Sequence, residues 1–140
     1  MRTDERGAAA VELALLMPLV VLLFSVTVGG ARLWQLRAGV DHAAAASARA
    51  ASLARSSADA VADGSSVATA QLQNAIPRCV DPVVEIDARQ VDTSAGTPAA
   101  VTVTVTCSLS LGDLVIPGWP SQVTVTGVAT SPVDRYRERK

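Results

Sequence analysis

Aromatic side chains are almost missing from this chain: its 140 residues include two Trp, one Tyr and one Phe. A core built without them rests on Val, Leu and Ala, which bury little area per residue. A small domain of that kind is marginally stable unless it is stapled or packed on a partner. Histidine is reduced to His42 and cysteine to Cys79 and Cys107, too few ligands for a four-ligand zinc site without outside help. Positive charge is not in excess either. Twelve Lys and Arg face thirteen Asp and Glu, a net charge of −1, which removes any general attraction to nucleic acid. There is no Gly-rich phosphate loop, no Cys–His pair in a plausible context and no nucleophile elbow; Gly64-Ser65-Ser66 reads as a linker. No catalytic residue, cofactor, metal or small-molecule substrate is therefore expected, and an enzyme is not the reading.

What the chain does have is one long apolar run. Residues 7–31, GAAAVELALLMPLVVLLFSVTVGGA, hold a single charge, Glu12, and are bounded by Arg6 and Arg32. A bilayer core about 30 Å thick takes roughly 20 apolar residues as a helix, so this run is long enough to span. A cleaved secretory signal ending at Gly29-Gly30-Ala31 is the competing reading. The run is too long for one, contains Pro18, and places a carboxylate where such a peptide is purely apolar. Arginines flank both sides, so the positive-inside rule does not choose an orientation. The two cysteines and a Thr-rich strand region suit an exported head, which puts the N-terminus on the cytoplasmic side and the C-terminal domain outside the cytoplasmic membrane. Five segments follow: a leader at 1–7, a transmembrane helix at 8–31, an amphipathic helical region at 32–76, a small antiparallel sheet domain at 77–133 and a charged tail at 134–140.

A carboxylate inside a span costs on the order of 3 kcal/mol at the bilayer centre and less near the interface. Glu12 lies in the second turn of the expected helix. Either it is tolerated there by reaching the interface and the positive end of the helix dipole, or it is an assembly determinant. In the second case its partner would be the free amine of Ala8 on a neighbouring copy, present only if the chain is cut after Gly7. Pro18 removes a backbone donor and crowds the carbonyl of Ala14, so a kink or local loosening is expected there, either as an ordinary kinked anchor or as a bend into a bundle.

The run Gly7-Ala8-Ala9-Ala10-Val11-Glu12, followed by an apolar helix with Pro18, resembles the type IV prepilin signal. That family has a short charged leader ending in Gly and a Glu five residues later. More narrowly, RGAAAVELALLMPLVVLLF resembles the start of TadE-like proteins, minor pilins or pseudopilins of the tight-adherence (Tad/Flp) pilus machinery. The AAAASARAA run at residues 43–51 and the late Thr/Val strands with a charged tail are similar as well. Asp4 and Glu5 depart from the pattern by making the leader less basic. The resemblance implies a structural subunit of a pilus or secretion apparatus. It implies a cut by a prepilin peptidase between Gly7 and Ala8, assembly through Glu12, and other pilin subunits and the Tad machinery as partners.

The rest of the chain has its own patterns. Leu33, Leu36, Val40, Ala44, Ala48, Ala51 and Ala54 or Arg55 recur at three- and four-residue steps, which predicts that the helix continues to about Asp63. Gly29-Gly30 is a possible flex point, Trp34 suits an interfacial anchor, and His42 reads as a solvated side chain. Gly64-Ser65-Ser66 is expected to break the helix, with a short second helix over 67–76. Strands are expected over 83–91, 100–109 and 122–129, and a turn over 93–98. In the second strand Val101, Val103, Val105, Cys107 and Leu109 share one face. Cys107 thus points to the core, where a bridge to Cys79 is expected if the head is exported; two free thiols are the alternative in a cytoplasmic domain. The 112–121 loop, with Leu114, Val115, Ile116 and Trp119, either closes the thin core or forms an exposed patch. The tail reads as a solvated end or a docking strip. The fold class expected is α+β and pilin-like: a long N-terminal helix, half in the membrane, packed on a small antiparallel sheet of three or four strands.

Overall fold

The computed structural model describes residues 5–76, 79–94, 96–110 and 122–134, with side chains from residue 10 onward. The apolar 112–121 loop and the tail beyond residue 134 lie outside these, as do residues 1–4 of the leader. Helix α1 covers Glu5–Ser52, which at 1.5 Å per residue makes a rod of roughly 70 Å. Helix α2 covers Ser57–Ala75. Strand β1, Val80–Asp87, is followed by a short 3₁₀ turn at Arg89–Asp92, then by β2, Ala99–Ser110, and β3, Gln122–Val133. The sheet has the order β1-β2-β3 and is antiparallel throughout. The architecture is α+β, as the period switch from helix to strand implies.

The second half of α1 lies along the sheet and forms the spine of the head. Leu36, Val40, Ala43, Ala44, Ser47, Ala48 and Ala51 are buried at three- and four-residue steps. Facing them are Val101, Val103, Val105 and Cys107, all fully buried, with Val125 and Val133 from β3. Thr102, Thr104, Thr106 and Ser108 occupy the other side of β2 at intermediate exposure. On that side hydroxyls pair across strands: Thr102 with Thr130 at 3.1 Å, Thr106 with Thr126 at 3.2 Å and Ser108 with Thr124 at 2.8 Å. Cross-strand contacts of this type contribute a few tenths of a kcal/mol up to about 1 kcal/mol each.

Several boundaries differ from the sequence expectation. Gly64-Ser65-Ser66 does not end a helix; α2 runs straight through it, and the chain turns earlier, at residues 53–56. Gly64 is buried at the helix crossing, where a Cβ would stand 2.7 Å from Ile86 Cδ1 and 3.2 Å from both Ala51 Cβ and Ser47 Oγ. The glycine is there for closeness, not for flexibility. Ser56 starts α2 instead: its hydroxyl accepts from the Asp59 amide at 3.1 Å and donates to the Asp59 carboxylate at 2.8 Å, a reciprocal cap. The 32–76 region is accordingly two helices packed as a hairpin, with Ala60, Gly64, Ala68 and Leu72 as the buried row of α2.

The first strand is shifted. It begins at Val80 and ends at Asp87, not at Val91. Asp87 accepts from the backbone amide of Arg89 and from its guanidinium, which bends the chain into the 3₁₀ turn. Val91 reaches the core from that turn, fully buried. Its apolar character mimicked strand periodicity. The second and third strands are each longer than expected, and the sheet has three strands among the described residues. Gly29 and Gly30 interrupt nothing, since α1 is continuous across both. Within the turn expected over 93–98, of which residue 95 lies outside the described residues, the Thr97 amide donates to the Ser94 carbonyl at 3.2 Å.

Candidate functional site

Two halves of one helix carry the functional features. From Ala10 to Val28, α1 is bare among the described residues: none of its most apolar window is buried, and Val11, Leu13, Leu15, Leu16, Met17, Leu19 and the following Val, Leu and Phe side chains are all exposed. Large apolar surface left bare at this scale marks a membrane or partner contact. The polar groups within it are satisfied internally. Ser25 Oγ donates to the Val21 carbonyl and Thr27 Oγ1 to the Leu23 carbonyl, both at 2.8 Å. A helix in hydrocarbon requires such internal satisfaction of its polar groups.

Gly7 and Ala8 fall in the first turns of α1. Glu12 is exposed in the next turn, with no hydrogen-bond or ion-pair partner among the described residues. Pro18 lies inside the helix, which continues across it. These residues are strung along one helix rather than gathered into a pocket. Arg32 and Trp34 follow the bare segment. Trp34 is 72% exposed, a placement just past the bare segment that suits an aromatic ring between hydrocarbon and water. A cleft of about 300 Å³ lined by Arg32, Gln35, Leu36, Ala75, Ile76, Leu109 and Ser110 opens beside them, so this end of the head meets the end of the bare segment. His42 is exposed.

The head is fastened near this junction. Cys79 and Cys107 form a disulfide with an S–S distance of 2.11 Å and Cα atoms 5.6 Å apart. It ties the segment leaving α2 to the central strand, with Cys107 buried among the valines. Closing a loop of this length contributes about 3–4 kcal/mol in the chain-entropy description. At the far end of the head, Asp92 accepts from the backbone amide of Ser57 at 2.9 Å, linking the 3₁₀ turn to the start of α2. The Ser57 hydroxyl and amide hold the Asp92 carboxyl below its usual range. Hydrogen bonds from the side chain and backbone of Arg89 bring Asp87 down to about 2.

Sequence reasoning missed Ser47, Gly64, Asp92 and Gly127. A Cβ on Gly127 would lie 2.8 Å from Asp41 Oδ1 and 2.9 Å from Val40 Cγ1, so β3 meets α1 backbone to backbone. The signal available was weak: a lone Gly inside a strand pattern marks a close approach without naming what approaches.

Fold and site together define an α+β protein with one candidate membrane span among the described residues, an exposed apolar helix that continues into the core of its own head. The family model described as TadE-like protein matches residues 7–49, so over this stretch the chain is similar to TadE-like proteins. The match begins at Gly7 and ends within the core-facing half of α1. No curated protein and no solved structure matches the chain.

Proposed function

We propose that this chain is a minor pilin or pseudopilin-like structural subunit of a Tad-type pilus or secretion apparatus. It sits in the cytoplasmic membrane by one helix, with the head on the extracytoplasmic side. The observation that carries the reading is the division of α1: a bare apolar half and a core-forming half in one unbroken helix, within the TadE-like segment. Such a rod transmits the position of the span rigidly to the head, which suits a subunit that packs beside others.

In this reading a prepilin peptidase cuts after Gly7, and Glu12 pairs with the new Ala8 amine of a neighbour. The exposed, unpartnered state of Glu12 supports the pairing, because a carboxylate at this depth is stabilised by a cation from another chain. The Cys79–Cys107 bridge supports an oxidising compartment for the head. Pilin and pseudopilin subunits and the Tad assembly machinery are the partners, and the role is structural rather than catalytic. An uncleaved single-pass scaffold or binding protein is the second reading, favoured by the acidic Asp4 and Glu5 of the leader.

The N-terminal residue of the mature protein separates them. Mass spectrometry of membrane-extracted protein is expected to find Ala8; Met1 would leave only the uncut anchor. Glu12→Ala is expected to insert normally and to lose co-purification with the apparatus. Equal recovery of mutant and wild type would remove the assembly role.

A further inference from the structure

The two edges of the sheet are built differently. The β1 edge is blunted: Asp81 has φ 48°, Pro82 follows, the register with β2 slips between Val80 and Val83, and Glu85 and Asp87 carry charge. These are the devices by which edge strands are kept from pairing. The β3 edge has almost none. Its sequence, QVTVTGVATSPV, contains no charged residue, and its pairing with β2 is continuous from Gln122↔Ser110 to Val133↔Ala99. Pro stands only at position 132, next to the end. Among the described residues no backbone hydrogen bond joins β3 to anything but β2. Every second residue therefore turns outward an N–H and a C=O with no backbone partner among the described residues.

We infer that the free edge of β3 is a strand-addition site, which pairs with an extended, uncharged segment of a different polypeptide. The pleat states what that segment looks like. Val125 and Gly127 are buried on the inner side, while Thr124, Thr126, Val128 and Thr130 are exposed on the outer side. An added strand continues both layers if it alternates small or β-branched apolar residues inward with Thr or Ser outward. Val128 is 62% exposed, opposite Thr104 and without a hydroxyl partner. It is the apolar point on the outer face where an incoming side chain finds contact.

A second copy does not fit this edge. Val40 and Asp41 lie against Gly127, and Ser52 Oγ accepts from Ser131 Oγ at 3.0 Å, so β3 runs with α1, away from the span. Two copies anchored in one bilayer are related by rotation about its normal. A neighbour's β3 would arrive parallel, with its outward groups level with the first copy's instead of staggered. A neighbour's β1 presents the blunted edge. This exclusion rests on the membrane reading of α1, whereas the edge asymmetry does not.

The test uses the full chain in detergent micelles and a synthetic acetylated peptide, AAVTVTVT, which copies residues 99–106. Hydrogen exchange at residue resolution is expected to show fast exchange at alternate β3 amides of the free chain and at least tenfold protection with peptide. Val128→Lys is expected to weaken peptide binding at least tenfold with an unchanged melting temperature; if it fails to fold, Val128→Glu takes its place. Glu85→Lys on β1 is expected to change binding less than twofold. Protection on β1, protection nowhere, or full binding by the position-128 variant would overturn the assignment. A photo-crosslinker at position 128 in native membranes adds a second arm. An adduct with a different polypeptide is expected there, and a product of twice the chain mass, or none, overturns it. Neither arm depends on whether the leader is cut.

Discussion

The Ser47 hydroxyl donates to the Gly64 carbonyl at 2.8 Å, entirely out of solvent, joining two helices at a point where α2 contributes no side chain. The α1–α2 hairpin closes there because both residues are small. The same closeness recurs where Gly127 of β3 meets Asp41 of α1.

These two glycines should respond differently to a methyl group. At Gly64 the nearest atom is the end of the Ile86 side chain, which can rotate, and Ala recovers up to about 1 kcal/mol of helix propensity, against milder crowding from Ala51 Cβ and Ser47 Oγ at 3.2 Å. At Gly127 the contacts include the Asp41 backbone nitrogen at 3.2 Å, and no such recovery exists. Gly127→Ala is expected to cost about 1–3 kcal/mol and Gly64→Ala less than about 1 kcal/mol. Urea denaturation of each variant ranks them; the reverse order would contradict the packing described.

Reducing the Cys79–Cys107 bridge, or replacing both residues by Ala, is expected to lower stability by about 3–4 kcal/mol. For a core made largely of Ala and Val this leaves the head close to unfolding at 37 °C. Denaturation curves with and without reductant provide the measurement.

Acid should weaken the far end of the head. Asp87 and Asp92 both have carboxyl pKa values lowered by folding, Asp87 from 3.8 to about 2. Their contribution is present above the unfolded value and is lost as pH falls through the folded one, so for Asp87 the window runs from about 4 to 2. Arg89→Ala is expected to shrink the loss between pH 5 and pH 2, and Asp92→Asn to flatten its own share. Both side chains are exposed, so the changes are small and best read as shifts in melting temperature.

Two arginines in the bare helix, Val21→Arg with Leu22→Arg, would each cost about 3 kcal/mol at mid-bilayer. The double variant is expected to leave carbonate-washed membranes while its head keeps the disulfide. Retention in the pellet would argue against residues 10–28 as the span.

Much of this was legible in one dimension. The apolar run of residues 7–31 needs only length and composition to be read, because a span is defined by its solvent. The alternation of Val101, Val103, Val105 and Cys107 with threonines assigned both a strand and its core face. Cys79 and Cys107 followed from that face. The α1 stripe from Leu33 to Ala51 was also correct, although the helix ends at Ser52 and does not continue to about Asp63. Misreadings came where one residue type serves two purposes. Gly64 carries the composition of a break but sits at a crossing. Val91 extends an alternating pattern yet is buried by a 3₁₀ turn, which Asp87 and Arg89 impose by local hydrogen bonds.

Sequence alone thus determined the apolar helix, the polarity of the central strand, and the TadE-like resemblance of the first thirty residues with its Gly7 and Glu12. Those features depend on neighbours along the chain and on the solvent each segment requires. Tertiary structure decided where the helices turn, why Gly64 and Gly127 have no side chain, and that one sheet edge is blunted while the other is open. These depend on which surfaces meet, and distances between residues such as Ser47 and Gly64 exist only once the chain has folded.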